Sequence, residues 1–318
     1  MKRLYAQASG RYTMSELCGL FGKSKQAYYK HDEDVELRRM ALEEFAMQYI
    51  REVKAKDPGI GGLKIWVMYR REFGEGASIG RDRFCDIFDR MGMKLRRRRR
   101  GVRTTDSNHN NPLYPNLVKS LIPLRFGQLI VGDITYIPLV DRETGERSFC
   151  YANLLLDSYS KMLLGYSVGA TLSSLYTIEA LEMAIDTLAA YGVDLSATTH
   201  HSDRGTQYTS ADYVRVLKQN RMLISMTETG NPKDNPEAER INNTLKNELF
   251  KDITFYSIEQ VSKAMINAVQ FYNYERPHRS IEMNTPVTAI GHTGRFKRAW
   301  MSYREQAIDR LDGEGVPP

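Results

Sequence analysis

Three acidic residues stand in settings that local structure alone does not favour. Asp133 lies in Leu129-Ile130-Val131-Gly132-Asp133-Ile134-Thr135-Tyr136-Ile137. Apolar residues occupy both alternate faces of this segment, the pattern of a central strand buried on both sides. An aspartate is unfavourable there and is seldom buried without a partner. Either it is tied to a buried Arg, His or backbone group, or its chemistry offsets the cost. Asp203 lies in His200-His201-Ser202-Asp203-Arg204-Gly205-Thr206-Gln207-Tyr208, at the end of a short strand that Gly205 lets turn sharply. Strand ends in open α/β sheets are where ligand sites form; the alternative is an Asp that stabilises its own turn. Glu239 lies in Asp234-Asn235-Pro236-Glu237-Ala238-Glu239-Arg240-Ile241-Asn242-Asn243-Thr244-Leu245-Lys246. On a helix, Ile241, Leu245 and Leu249 form one stripe that packs on a sheet, and Glu239, Asn242, Asn243 and Lys246 lie opposite.

That opposite face is either a solvated polar surface or a place for a cation near the helix start with DNA along the helix. Hard oxygen ligands from a strand, a strand end and a helix suit Mg²⁺, which takes few protein carboxylates and keeps several waters. Two such ions roughly 3.5–4 Å apart can activate a water or a 3′-hydroxyl and stabilise the leaving oxygen. Such a site needs no cysteine or serine nucleophile. His200 and His201 either position a phosphate and protonate a leaving group, or simply pack at the strand end.

The surrounding pattern supplies elements to hold these groups. Residues 128–140, 148–157 and 162–168 read as three consecutive strands, the first two joined by a Thr144-Gly145 turn. Residues 173–191 form a helix rich in Leu, Ala and Ile that Gly192 ends, and 197–202 a short strand. A helix over 210–220, a strand over 223–226 and a helix over 236–251 follow. The prediction is a mixed α/β sheet with helices on both faces.

Ahead of it, Leu17 and Leu20 share a helical face, Gly22 breaks that helix, and Ser24 can cap another starting at Lys25. This is either a helix-turn-helix, with Lys25 and Gln26 at the start of its recognition helix, or an ordinary helical hairpin. Residues 33–56 are helical and highly charged, Asp57-Pro58-Gly59 marks a turn, and 63–73 resumes an amphipathic helix. In 80–91, Phe84, Ile87, Phe88 and Met91 keep helical spacing. Arg96, Arg97, Arg98, Arg99 and Arg100 follow, a run that tracks phosphates unless it is a solvated linker. The Thr/Ser/Asn/Pro composition of 104–115 marks a connection between domains. The expected division is a helix-turn-helix-like region at 1–56, a second helical DNA-binding region with its Arg-rich end at 57–103, a linker at 104–121, a catalytic core at 122–290 and a tail at 291–318.

Composition narrows the classes. With 42% hydrophobic and 26% charged residues over 318 positions, a folded globular protein is expected. No apolar run is long enough to span a bilayer and no secretory signal is evident, so a cytoplasmic protein is predicted. Cys18, Cys85 and Cys150 are odd in number, far apart and without Cys-x-x-Cys spacing, which argues against a disulfide framework or a cysteine zinc site and for buried thiols. The net charge of +6 is unevenly spread: residues 1–103 hold 24 Lys and Arg against 14 Asp and Glu, and the remainder holds 21 against 25. The basic excess lies where a phosphate-binding surface would serve.

Taken together, the motifs resemble those of insertion-sequence transposases of the retroviral-integrase superfamily, of the kind made from a second reading frame. Asp-Ile-Thr-Tyr-Ile at 133–137, His-Ser-Asp-Arg-Gly-Thr-Gln-Tyr at 201–208 and Asp-Asn-x-x-x-Glu at 234–239 match that family's three acidic motifs. The 35 residues between Asp203 and Glu239 are the family's usual separation, whereas Glu237 would leave 33. Tyr272-Asn273-Tyr274-Glu275-Arg276-Pro277-His278 and Thr285-Pro286 resemble its C-terminal signature. The resemblance is firm over 124–290 and looser before it. It implies a ribonuclease-H-like catalytic fold in which Asp133, Asp203 and Glu239 hold two Mg²⁺ ions, with Mn²⁺ as a substitute. It also implies cleavage at mobile-element ends and transfer of the 3′-hydroxyl to target DNA. Lys246 matches a family position that contacts DNA ends; Asn235, Asn242 and Asn243 share that surface. Pro236 replaces a small residue and is expected to start the helix. The His/Cys zinc domain of retroviral integrases is not visible, so no zinc is predicted. Homo-oligomers on DNA are implied, as is fusion to, or partnership with, an upstream reading-frame product.

Two other functions use the same residues differently. A nuclease of this fold would hydrolyse nucleic acid without strand transfer, and a transposase-derived regulator would bind DNA without cutting it. The basic N-terminal region and the C-terminal signature favour transposition over the first, and the complete acidic set over the second.

Overall fold

The computed structural model describes residues 12–26, 33–74, 79–94, 111–228, 235–297 and 305–306. Its first helix, α1 (Met14–Leu20), starts at a reciprocal cap in which the Thr13 side chain and the Glu16 side chain each bond the other's backbone N–H. It stops ahead of Gly22, whose φ of 60° suits a residue without a Cβ. Lys25 and Gln26 begin another helical turn and are exposed; the rest of the predicted recognition helix, and Arg96 to Arg100, lie outside the described residues. Helices α2 (Glu33–Lys56), α3 (Gly62–Phe73) and α4 (Arg81–Arg90) follow.

The sheet comprises β1 (Leu129–Val140), β2 (Arg147–Asp157), β3 (Leu163–Gly169), β4 (Thr199–Ser202) and β5 (Leu223–Met226), in the order β3-β2-β1-β4-β5. β1, β2 and β3 pair antiparallel, while β4 and β5 extend the sheet in parallel. Three antiparallel strands continued by parallel ones, with helices on both faces, make the ribonuclease-H-like arrangement that the motifs implied. Helix α5 (Ser174–Ala190) packs on β3 at Gly165, where an added Cβ would lie 2.1 Å from the Ala180 carbonyl oxygen. Helix α6 (Ala211–Gln219) covers the same face with Tyr213 and Leu217. Across the sheet lie α7 (Pro236–Thr244) and α8 (Ile258–Tyr274), with α9 (Pro286–Ala289) near the chain's end.

One apolar cluster runs from Tyr49, Ile65, Tyr69 and Phe84 of α2, α3 and α4 through Leu249 and Phe250 to Val131 and Leu154 of the sheet. The N-terminal helices are therefore packed on the same side as α7 and α8. Among the described residues, Cys18 and Cys150 are buried and Cys85 is half-buried. No described helix is long and apolar enough to cross a membrane.

Two predicted elements differ in detail. The strand expected over 197–202 is shortened, because Asp194 accepts from the Ser196 backbone N–H and caps a single 3₁₀ turn, Leu195–Ala197, before β4 begins. The helix expected over 236–251 changes at its end into one π-helical turn, Leu245–Leu249. The strand pattern also gave no notice of α8, whose apolar residues Val261, Met265, Ala268, Phe271 and Tyr272 bury one helical side.

Candidate active site

β1 and β4 run parallel, with Leu129 opposite Thr199, Ile130 opposite His200 and Val131 opposite His201. Two residues beyond that last pair, each strand reaches its acid, so Asp133, within β1, stands beside Asp203, the first residue past the end of β4. Gly132, on the opposite face of β1, leaves room for the packing beneath the acids: a Cβ there would lie 3.3 Å from Leu155 and from the Tyr208 ring and 3.4 Å from His200 Nε2. Asp203 turns its carboxylate back on the following loop, where Oδ1 accepts from the Gly205 N–H at 2.9 Å.

The third acid arrives on α7. Asn235 caps that helix, its side chain accepting from the Ala238 N–H at 3.4 Å, and Pro236 occupies the first turn where its missing N–H costs nothing. The Asn235 amide also donates to the Gly132 carbonyl at 3.2 Å, tying the helix start to β1. Ala238, Ile241, Leu245 and Leu249 are buried as the stripe requires. Glu239 and Asn242 are half-buried above the strand ends, and Asn243 and Lys246 are exposed. Asn242 Nδ2 donates to Asp133 Oδ2 at 2.6 Å. Of the predicted polar contacts on this helix, Asn235 and Asn242 are thus engaged inside the protein, while Asn243 and Lys246 face outward. Glu237, two residues before Glu239, is taken up by Lys161 Nζ at 2.8 Å.

The three acids feel one another's charge. Burial pushes the Asp133 carboxyl up to about 7, the Asp203 charge adds to this, hydrogen bonds from Ile134 N–H and Asn242 oppose it, and Glu239 contributes further. Three carboxylates that repel one another in so small a space are a donor set of hard oxygens that a divalent cation relieves. Among the described residues no three His, Cys, Asp or Glu side chains are drawn in closely enough to make a finished metal cage, so the triad is a neighbourhood of charge rather than a closed shell. Lys246 is exposed, but crowding by the protein lowers its ammonium pKa while Asp133 works to raise it.

The floor of the site is aromatic. Tyr213 and His200 Nε2 are hydrogen-bonded at 2.8 Å, and the buried Tyr208 packs against both rings. Burial, with the charge of His201 behind it, drives His200 down to about 3, so it is neutral near pH 7. His201 Nδ1 is hydrogen-bonded to Ser225 Oγ at 2.9 Å. Both histidines are buried strand residues. Tyr208 was not singled out in the sequence; burial, and the charges of Asp133 and Asp203, hold its hydroxyl firmly protonated.

The integrase core domain family matches residues 123–232, and a second family described as integrase core domain matches 220–286. A protein of Mycobacterium tuberculosis named "Putative transposase for insertion sequence element IS986/IS6110" is 30% identical over 257 residues, covering 78% of this chain and 88% of that protein. The chain belongs to the insertion-sequence transposases of the retroviral-integrase superfamily. Within that family, the transposase for insertion sequence element IS629 of Shigella sonnei is 26% identical over 285 residues, 88% of this chain and 92% of its own length. Among solved structures, the HTLV-2 integrase catalytic core domain in complex with magnesium matches with a TM-score of 0.38 and 16% identity, over 53% of this chain and 99% of that one. The two family matches overlap over residues 220–232 and together span 123–286, so all three acids fall within residues they cover.

Proposed function

We propose that this chain is a DNA transposase that cleaves the ends of its own mobile element and joins the freed 3′-hydroxyl to target DNA. The observation that carries the reading is the meeting of Asp133 of β1, Asp203 at the exit of β4 and Glu239 in the first turn of α7, in a chain of this family. Asp133, Asp203 and Glu239 would hold two divalent cations, Mg²⁺ or Mn²⁺, whose chemistry is to activate the attacking oxygen and stabilise the leaving one. The chain's other groups prepare the place. Asn242 orients Asp133, and Lys161 holds Glu237 aside so that Glu239 is the acid free to reach the pair. The packed His200, Tyr208 and Tyr213 close the floor beneath the acids. Lys246 and Asn243 offer an outward cation and amide to a phosphate backbone, and Lys25, Gln26 and the arginines at 96–100 add non-specific attraction. Assembly of several copies on paired DNA ends, a cytoplasmic location and a contribution from an upstream reading-frame product complete the proposal.

Strand cleavage and joining on labelled element ends with Mg²⁺ or Mn²⁺ tests it. Wild type should give metal-dependent nicks and joined products. Asp133→Asn, Asp203→Asn and Glu239→Gln should each abolish both while DNA binding persists. Near-normal cleavage by any of these variants removes that residue from the site, and nicking without joining would select the nuclease.

A further inference from the structure

Away from the acids, a buried group of charges ties the N-terminal helices to the helix that carries Glu239. Asp57 is fully buried at the turn between α2 and α3, and its Oδ1 accepts from the Gly59 N–H at 3.0 Å. Its other oxygen lies 3.4 Å from Nε of Arg276, itself only 3% exposed. Arg276 Nη2 donates to Glu248, and Lys64 of α3 stands 3.5 Å from the same Glu248 oxygen. Arg276 and His278 belong to the C-terminal signature, which the proposed reaction has so far left without a task, and the His278 ring meets Tyr272 edge-on at 4.6 Å. The group is charge-balanced, two acids against two bases, as burial demands.

Backbone joins at the same place. The Gly59 N–H donates to the Glu248 carbonyl at 3.0 Å. The approach is so close that a Cβ on Gly59 would lie 2.1 Å from Glu248 Cα. Glu248 sits in the π-helical turn that ends α7, and a wider turn of this kind changes the angular register of the residues around it. Glu248 lies nine positions after Glu239, roughly 13 Å along a helix. The far end of α7 is held by Asn235 on Gly132 and by Glu237 on Lys161, and its middle by Asn242 on Asp133. Further links fasten α2 and α3 to the same core: Lys56 to Glu275 at 2.7 Å and Arg71 to the Met283 carbonyl at 2.9 Å.

We propose that Arg276, Glu248 and the Asp57-Pro58-Gly59 turn are positioning residues that set the height and rotation of α7, so that docking of the N-terminal helices places Glu239 against Asp133 and Asp203. The proposal rests on the metal-dependent reaction inferred above. A helix held only at its start and middle could still tilt or rotate, and a displacement of an ångström in a reacting group costs on the order of 10²-fold in rate. The cluster supplies the second fixed end. It also makes the N-terminal helices part of the frame of the acidic site as well as a surface for DNA.

The test compares full-length wild type with Gly59→Ala, which lifts the turn off Glu248, and Arg276→Lys, which keeps the charge but loses the planar fork. Four quantities are followed: the urea midpoint, binding to element-end DNA, the turnover rate of end cleavage, and Mn²⁺ affinity measured from the spin-resonance signal of free Mn²⁺. The expected result is folded protein with unchanged DNA affinity, a fall in turnover of about 10- to 100-fold, and weaker Mn²⁺ binding by a comparable factor. Wild-type turnover and wild-type Mn²⁺ affinity in either folded variant overturn the proposal. So does a loss of rate that follows the loss of folded protein in both variants, which assigns the cluster to stability alone. If wild type binds Mn²⁺ but cuts no element ends, the transposition reading fails, and the Mn²⁺ comparison still decides whether the cluster positions Glu239.

Discussion

Replacing Asn242 by alanine should weaken metal binding far more than DNA binding. Asn242 Nδ2 donates to Asp133 Oδ2 at 2.6 Å, a short distance for an amide donor, in the direction that a charged acceptor favours. Asp133 already carries the cost of burial and of two neighbouring carboxylates. A hydrogen bond to a charged group contributes about 1.5–3 kcal/mol, and its removal also frees the carboxylate to rotate away from the place where an ion would sit. At about 1.4 kcal/mol per factor of ten, the loss corresponds to roughly 10- to 100-fold in metal affinity, the range seen when groups that orient metal ligands are deleted. The assay is a titration of end cleavage against Mg²⁺, with Mn²⁺ binding measured directly on the same protein. The half-saturating metal concentration should rise by that factor, saturating metal should recover most of the rate, and gel-shift affinity for element ends should hold. Unchanged metal dependence together with weakened DNA binding would refute the reasoning and make Asn242 a DNA contact.

Two further outcomes concern stability. His200 has a folded pKa of about 3 against an ordinary value of 6.5, because burial opposes its charge. The unfolded chain therefore binds the extra proton first: the stabilisation is present above pH 6.5 and is lost as pH falls towards 3. Between pH 7 and pH 5 the loss is about 2 kcal/mol; urea midpoints at the two pH values should show it, and His200→Gln should shrink the difference. An equal pH dependence in that variant would show that His200 is not responsible. Gly165→Ala puts a Cβ 2.1 Å from the Ala180 carbonyl oxygen and 2.7 Å from the Ala184 nitrogen. Because both are helix backbone, α5 must move off β3, and a destabilisation of about 1–3 kcal/mol or more is expected in denaturant unfolding. A midpoint within error of wild type would mean that the helix is not seated so tightly.

Much of this protein is determined by its sequence over short distances. Alternation and burial in Leu129 to Ile137 dictate a central strand, and an acid placed in it announces a cost that needs a purpose. The stripe of Ile241, Leu245 and Leu249 determines which side of α7 meets the sheet, and hence that Glu239 looks the other way. Ser173, Ser210 and Asn235 mark helix starts because their side chains accept from backbone N–H groups a few residues ahead. These are local rules of backbone and solvent, and they can be read residue by residue.

Only the tertiary structure decides what depends on segments far apart in the chain. The register that sets Asp133 beside Asp203 comes from the pairing of β1 with β4, about 70 residues apart, and no local preference encodes it. Asn242 is indistinguishable from a solvated amide until β1 stands beneath it and offers Asp133. Tyr208 and His200 become the floor of the site only when α6 folds over the sheet. The union of Asp57, Glu248 and Arg276 spans 219 residues from first to last and includes charges that a sequence would leave in water. Such contacts are chosen by packing, because a buried charge finds its partner in space and not along the chain.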